Sequence, residues 1–226
     1  MSTFVLKLIA CVAMLIDHVT ATFADSTGMW WTVGLGIGRL AFPIFCFLVV
    51  EGFFHTRNRK KYALRLLLAA LLSEIPYDCM RFGTVWNFDS QNVMWTLLLG
   101  FLAIAMIEYV KTRYPGDMMK YNTFSCLAIL LCGVVAMFFA TDYTVFGVAL
   151  IVSFYMFRGR KLSGFLMFAV LVWLFYSANT IQFASLLAYP VLLFYNGKKG
   201  MDDRYCLYAF YPVHMLIIGL IARFVL

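Results

Sequence analysis

Apolar stretches of near-bilayer length recur from one end of this 226-residue sequence to the other, and its charges are gathered into short clusters between them. Such a chain cannot hide its apolar residues in one soluble core, because too few polar residues remain to cover it. The composition agrees: 64% of residues are hydrophobic and 13% charged, where soluble domains run near about 45–50% apolar and about 25% charged. Twenty-three Phe, thirteen Tyr and five Trp exclude disorder. Recurrence of the apolar stretches over the whole length excludes a soluble domain on one anchor. The expected class is an all-α polytopic membrane protein, a single domain over residues 1–226, with room for roughly eight to ten spans of about 20 residues.

Nine spans are expected. They run near Phe4–Ala24, Val33–Phe54, Tyr62–Pro76, Asn92–Val110, Thr123–Ala140, Val145–Phe157, Leu162–Ala178, Phe183–Tyr195 and Leu207 to the C-terminus. Four basic clusters then share one side: Arg57, Arg59, Lys60 and Lys61; Lys111, Arg113 and Lys120; Arg158, Arg160 and Lys161; Lys198, Lys199 and Arg204. The other side holds Arg81 alone, with Asp25, Asp78, Asp89 and Asp142. The positive-inside rule places the N-terminus in the cytoplasm and the C-terminus outside. The longest outer connection is expected at Tyr77–Gln91. The net charge of +7 is thus a topology signal, and no stretch mixes basic and aromatic residues as a nucleic-acid groove would. The cysteines form no CxxC, so neither a metal knuckle nor a disulfide framework is indicated.

A charge at the bilayer centre costs about 2.5–3.5 kcal/mol on insertion scales, so each one kept there marks a candidate site. The candidates are Lys7, Asp17, His18, Arg39, Glu51, Glu74 and His214. At about 1.5 Å per residue, Asp17, His18, Arg39 and Glu74 reach one level toward the outer leaflet. Asp78, Gln91 and Asn92 stand just above. Lys7, Glu51, His55 and His214 are expected nearer the cytoplasm, and two polar layers suggest a conduit through the bundle. Lys7 and His18, eleven residues apart, differ by only about 20° in azimuth and share a face. Asp17, rotated about 100° from His18, suits a partner on another helix, Arg39 among them. Blander roles remain open: Lys7 as a snorkelling flank residue, and Arg39 with Glu51 or Glu74 as a structural ion pair. Gly34, Gly36 and Gly38 follow no strand, so close helix packing suits them better than phosphate binding.

Several segments carry a family resemblance: Leu15-Ile16-Asp17-His18; Gly38-Arg39-Leu40-Ala41-Phe42-Pro43-Ile44-Phe45; and Val50-Glu51-Gly52-Phe53-Phe54-His55-Thr56-Arg57-Asn58. Ser73-Glu74-Ile75-Pro76-Tyr77-Asp78, Gln91-Asn92-Val93, Tyr195-Asn196-Gly197-Lys198-Lys199-Gly200 and Tyr208-Ala209-Phe210-Tyr211-Pro212-Val213-His214 follow in order. In this order they resemble the TraX family, named for the conjugal-transfer protein that acetylates the N-terminus of F-type pilin. More distantly the chain is similar to the transmembrane acyltransferases. Those have an Arg, ten residues, then a His in the first span; here Lys7 and His18 take those places. Lys is a point charge and offers no bidentate fork to a phosphate.

The resemblance implies acetyl transfer from cytoplasmic acetyl-CoA, in a bacterial inner membrane, to an acceptor peptide amine, a glycan or another amine or hydroxyl. His18 would be base or nucleophile, with Asp17, Arg39 and Glu74 catalytic beside it. Lys7, Glu51, His55, Arg57, His214 and Tyr211 would hold the donor, and Asp78, Gln91 and Asn92 the acceptor. No metal and no nucleic acid are implied; oligomeric state stays open. The same intramembrane charges would also suit a small-solute or ion transporter, although no inverted repeat relates the two halves.

Overall fold

The computed structural model describes residues 1–201 and 206–225, with side chains left aside at 206, 207 and 225; Arg204, counted above among the basic clusters, lies outside them. Ten α-helices and one 3₁₀ segment follow in order: α1 Thr3–Phe23, α2 Met29–Gly38, α3 Ala41–His55, α4 Arg59–Phe82, α5 Val93–Arg113 and α6 Met118–Phe138. Then come α7 Thr144–Met156, α8 Lys161–Tyr176, the 3₁₀ segment Thr180–Leu187, α9 Ala188–Leu193 and α10 Cys206–Val225. Extended pairing among the described residues is limited to one bridge between Gln91 and Thr141.

Four helical stretches among the described residues are long and apolar enough to cross a membrane: Thr3–Phe23, Met29–His55, Val93–Arg113 and Met118–Phe138. The others are shorter, or, like α4 with Arg65, Glu74, Asp78 and Arg81, too charged. The long helices expose apolar faces. On α6, Leu127, Leu130, Leu131, Val134, Met137 and Phe138 are all exposed, at the i, i+3, i+4, i+7 spacing of one helical face. A soluble monomer rarely shows an apolar surface of that extent, whereas lipid is its ordinary solvent.

The centre is built from α3, α5 and α7, which pack on one another and are the most buried helices. Small residues set their spacing. A Cβ on Gly147 would collide with Thr96 and Phe42, and one on Gly100 with Ile151. Around this centre α1 packs against α2, α3 and α10, and α10 lies along α4.

The expected second span is two helices, α2 and α3, meeting at Arg39–Leu40. Pro43 explains the break: its ring clashes with the carbonyl four residues back, that of Arg39, and it offers no N–H. The chain tightens there, with Leu40 N–H donating to Ile37 O at 3.1 Å. Pro190 acts likewise on the expected eighth span, which is the 3₁₀ segment followed by α9. Pro76 and Pro212 sit inside α4 and α10 without ending them.

The expected third span is too short at both ends. α4 runs on to Phe82, so Tyr77 and Asp78 are buried helical residues and not part of an outer loop. The extra turn is tied down by two bonds to the following loop: Tyr77 OH to Ser90 Oγ at 2.9 Å, and Asn87 N–H to Asp78 Oδ2 at 2.9 Å. Gly83, at φ 67°, takes the left-handed conformation that ends a helix.

Chain connections tie each end of the bundle together. At the basic end the N-terminal ammonium bonds the Phe194 carbonyl, and Thr3 N–H donates to Lys198 O at 2.8 Å. At the opposite end Gln91 N–H donates to Ala140 O at 3.0 Å and Asp142 N–H to Gln91 O at 2.9 Å.

Candidate functional site

The first group of partly buried polar side chains lies where α1, the α2–α3 break and the start of α7 meet. Gly38 gives Asp17 its room: a Cβ there would overlap the Asp17 side chain. Gly34, a turn earlier, does the same for Thr20, so close packing against α1 is the role of both glycines. Asp17 Oδ1 accepts from Arg39 Nη2 at 2.9 Å, the pairing that its azimuth suggested. Arg39 Nη1 donates to Tyr143 OH at 3.3 Å, while Arg39 Nε is buried with no hydrogen-bond partner among the described residues.

Tyr143 has no signal in the sequence. It stands at φ 62°, a left-handed conformation uncommon for a bulky residue. Its ring stacks on Phe42, centroids 3.7 Å apart and planes within 2°, which together with Arg39 holds it there. The neighbouring Asp142 carboxyl is pushed above its ordinary range by burial, against the opposing pull of Arg81 and Arg39.

The second group joins α1 to α10. His18 Nδ1 lies 2.8 Å from His214 Nε2, and His214 Nδ1 lies 2.7 Å from Phe210 O. A carbonyl only accepts, so His214 Nδ1 carries the proton and its Nε2 is the bare nitrogen. His18 must then donate from Nδ1. Its own Nε2 is left with a lone pair and makes no hydrogen bond with the described residues. The His214 ring is fixed between Phe210, stacked at 4.6 Å, and Tyr211, at 5.9 Å.

This corrects the depth expected for His214. It stands with His18, not with Lys7, Glu51 and His55. The cause is the docking of α10: Gly219 lets the helix close onto Cys79 and Met80, where an added Cβ would come within 3.0 Å of Met80 N. Held against the far end of α4, α10 carries His214 to the His18 level. Tyr211, expected with the donor, is buried there too.

Glu74 and Asn92 do not join the His18 group. Asn92 N–H reaches Glu74 Oε1 at 3.3 Å, Trp95 Nε1 reaches Glu74 Oε2 at 2.8 Å, and Asn92 Nδ2 bonds both Glu74 Oε2 and, at 2.9 Å, Ala70 O. Asn92 Oδ1 caps α5 through Met94 N–H at 3.0 Å. Both side chains are spent on joining α4 to α5, leaving neither for His18 or an oxyanion. Gln91 acts through its backbone, in the bridge to Thr141. Asp78 keeps one buried oxygen, Oδ1, without a partner among the described residues.

The third group lies at the basic end. A cavity of about 430 Å³ is lined by Glu51 and His55 from α3, Arg158 from the α7–α8 turn, Lys161 at the start of α8, and Tyr189 and Tyr195 among others. Arg158 Nε donates to Glu51 Oε1 at 2.8 Å. His55 Nδ1 lies 2.8 Å from the Glu51 carbonyl and 3.7 Å from Glu51 Oε2. The expected conduit is not formed by this cavity: on α3 its wall stops at Phe47, and His18, Lys7 and Arg57 are outside its lining. Lys7 is half-buried on α1 and Arg57 is exposed. Among the described residues no three His, Cys, Asp or Glu side chains are grouped as metal ligands.

A family model described as TraX protein matches residues 2–222. A curated relative, "Probable fimbrial assembly protein FimC, serogroup H1" of Dichelobacter nodosus, is 32% identical over 240 residues, covering 96% of this chain and 94% of the relative. No solved structure matches.

Proposed function

Because the chain belongs to the TraX family, we propose that it is an integral membrane acetyltransferase with His18 Nε2 as the general base. The observation that carries this reading is the ordered chain Phe210 O, His214, His18. It fixes one tautomer and one ring orientation, and presents a bare imidazole nitrogen. That is what a base needs, and a solvated histidine flips between tautomers instead.

Acetyl-CoA is the donor, reaching the site from the basic end, which faces the cytoplasm. The nine-span path, with the C-terminus outside, follows from the positive-inside distribution of charge. The acceptor is an amine. The relative's description as a fimbrial assembly protein favours the N-terminus of a fimbrial subunit over a glycan. In the transfer, the amine nitrogen attacks the thioester carbonyl carbon and a C–N bond forms. His18 Nε2 takes the amine proton, the C–S bond breaks, and the proton passes to the leaving thiolate to give CoA-SH. Arg39, whose buried Nε–H has no partner among the described residues, is the donor for the oxyanion. Asp17 positions Arg39.

The test is acetyl transfer by purified protein in nanodiscs, with acetyl-CoA and peptides bearing free N-termini. His18→Ala is expected to lower turnover about 10²- to 10⁴-fold in folded protein. Full turnover in that variant would exclude His18 as base. Flux of a solute with no acetylated product would replace the enzyme by a transporter.

A further inference from the structure

We propose that the cavity at the basic end is the seat of the phosphate-bearing end of the donor, and that Arg158 is its anion fork, held ready by Glu51. The inference rests on the acetyltransferase reading for the identity of the ligand and on the geometry of the cavity for the site.

Arg158 is anchored twice without using its two terminal nitrogens. Its Nε donates to Glu51 Oε1 at 2.8 Å, and its guanidinium carbon lies 4.3 Å from the centroid of the Phe54 ring. Neither Nη makes a hydrogen bond with the described residues, and the side chain is 42% exposed. An arginine fixed through Nε and one face keeps a planar pair of donors, matched to two phosphate oxygens. The Glu51 side chain, by contrast, is 8% exposed. A buried carboxylate of this kind serves to orient its partner.

The surroundings suit the same ligand. Lys161 adds a second cation and His55 a third polar group that faces the cavity. Phe47, Phe154, Tyr189 and Tyr195 supply aromatic walls on which a purine can stack. Gly159, at φ 83°, lets the chain turn directly after Arg158 so that Lys161 follows on the same rim. A site for a phosphorylated purine also answers a difficulty at Lys7, which cannot form a bidentate fork.

The experiment is binding to the full chain in phosphatidylcholine nanodiscs, by calorimetry, of three probes: CoA, pantetheine and inorganic pyrophosphate. Wild type is compared with Arg158→Gln, Arg158→Lys and Lys161→Gln, each with its thermal midpoint. Expected are a loss of CoA affinity of about ten- to a hundredfold in Arg158→Gln, a smaller loss in Lys161→Gln, and unchanged pantetheine binding in all. Arg158→Lys keeps the charge without the fork and is expected to recover part of the loss. Equal CoA affinity in wild type and Arg158→Gln overturns the seat and leaves the acetyltransferase reading intact. No CoA binding by folded wild type overturns the donor. Arg158-dependent pyrophosphate binding would then keep the cavity as a phosphate site, and its absence would remove that too. Should phosphatidylglycerol in the nanodisc displace pyrophosphate while CoA does not, the phosphate recognised is a lipid headgroup and the donor seat falls.

Discussion

His18 and His214 are 196 positions apart in the chain, yet His18 Nδ1 and His214 Nε2 are 2.8 Å apart in rings whose planes agree to within 1°. The pair is asymmetric. Among the described residues His214 is bonded at both nitrogens and His18 at one, so in the proposed mechanism His18 is the reactive member and His214 the residue that positions it.

Removing His214 therefore should impair transfer without removing the base. His214→Ala is expected to lower kcat about a hundredfold, the usual scale for losing the orientation of a catalytic group, with a small change in KM. His214→Gln places an amide oxygen where Nε2 stood and is expected to restore part of the rate. It offers no titratable group, so the pH–rate profile should lose any limb that belongs to the pair. Identical profiles in wild type and His214→Gln would show that His214 is only packing.

Gly38 and Asp17 are expected to fail together. Gly38→Ala inserts a methyl where the Asp17 carboxylate stands, an overpacking that costs about 1–3 kcal/mol. Asp17→Asn leaves Arg39 without its counter-charge. Removing one partner of a buried pair costs about 3–5 kcal/mol, and the partial exposure of these side chains, 18% and 23%, points to the lower figure. Both should be read as shifts in unfolding midpoint. Because the two act on one contact, the double variant should cost less than the sum.

Asn92→Ala separates a structural role from a catalytic one. It removes a helix cap and leaves Ala70 O and Glu74 short of a donor, for an expected loss of about 2–4 kcal/mol. Turnover per folded molecule should stay near that of wild type. A large fall in kcat at unchanged stability would return Asn92 to the acceptor site.

Asp142 sets a pH dependence of stability. Its carboxyl is held above the ordinary value by burial, so the folded state binds this proton more tightly than the unfolded chain does. The stabilisation is complete below the unfolded value of about 3.9 and declines as pH rises through the raised one. Asp142→Asn is expected to flatten that decline in the thermal midpoint and to equal or exceed wild type at neutral pH. A steeper decline in the variant would mean that Arg81 and Arg39 outweigh burial.

The orientation is checked by labelling. In a chain whose other reactive cysteines are replaced, Thr84→Cys should react with a membrane-impermeant maleimide in intact cells with a permeable outer membrane. Arg160→Cys should react only once the inner membrane is opened. The reverse pattern would invert the topology.

The sequence by itself determined the features that depend on local chemistry. Membrane class followed from apolar stretches, helix packing from Gly34 and Gly38, and the Asp17–Arg39 pair from helical azimuth, since each needs only a neighbour's periodicity. The second span was expected as one helix, and the clash of Pro43 with the Arg39 carbonyl accounts for the break that the structure shows. Tertiary structure alone decided the partners. The level of His214 depends on how far α10 slides along α4, which Gly219 sets against Cys79 and Met80; a rise per residue counted from a presumed boundary carries no such information. Tyr143 enters the site through a left-handed turn, and Arg158 becomes a fork only once Glu51 and Phe54 hold it. Glu74 and Asn92 had the depth and polarity of site residues, but their donors and acceptors are consumed by each other. Which polar groups remain free to act is settled by the packing of distant helices, after the local rules have been obeyed.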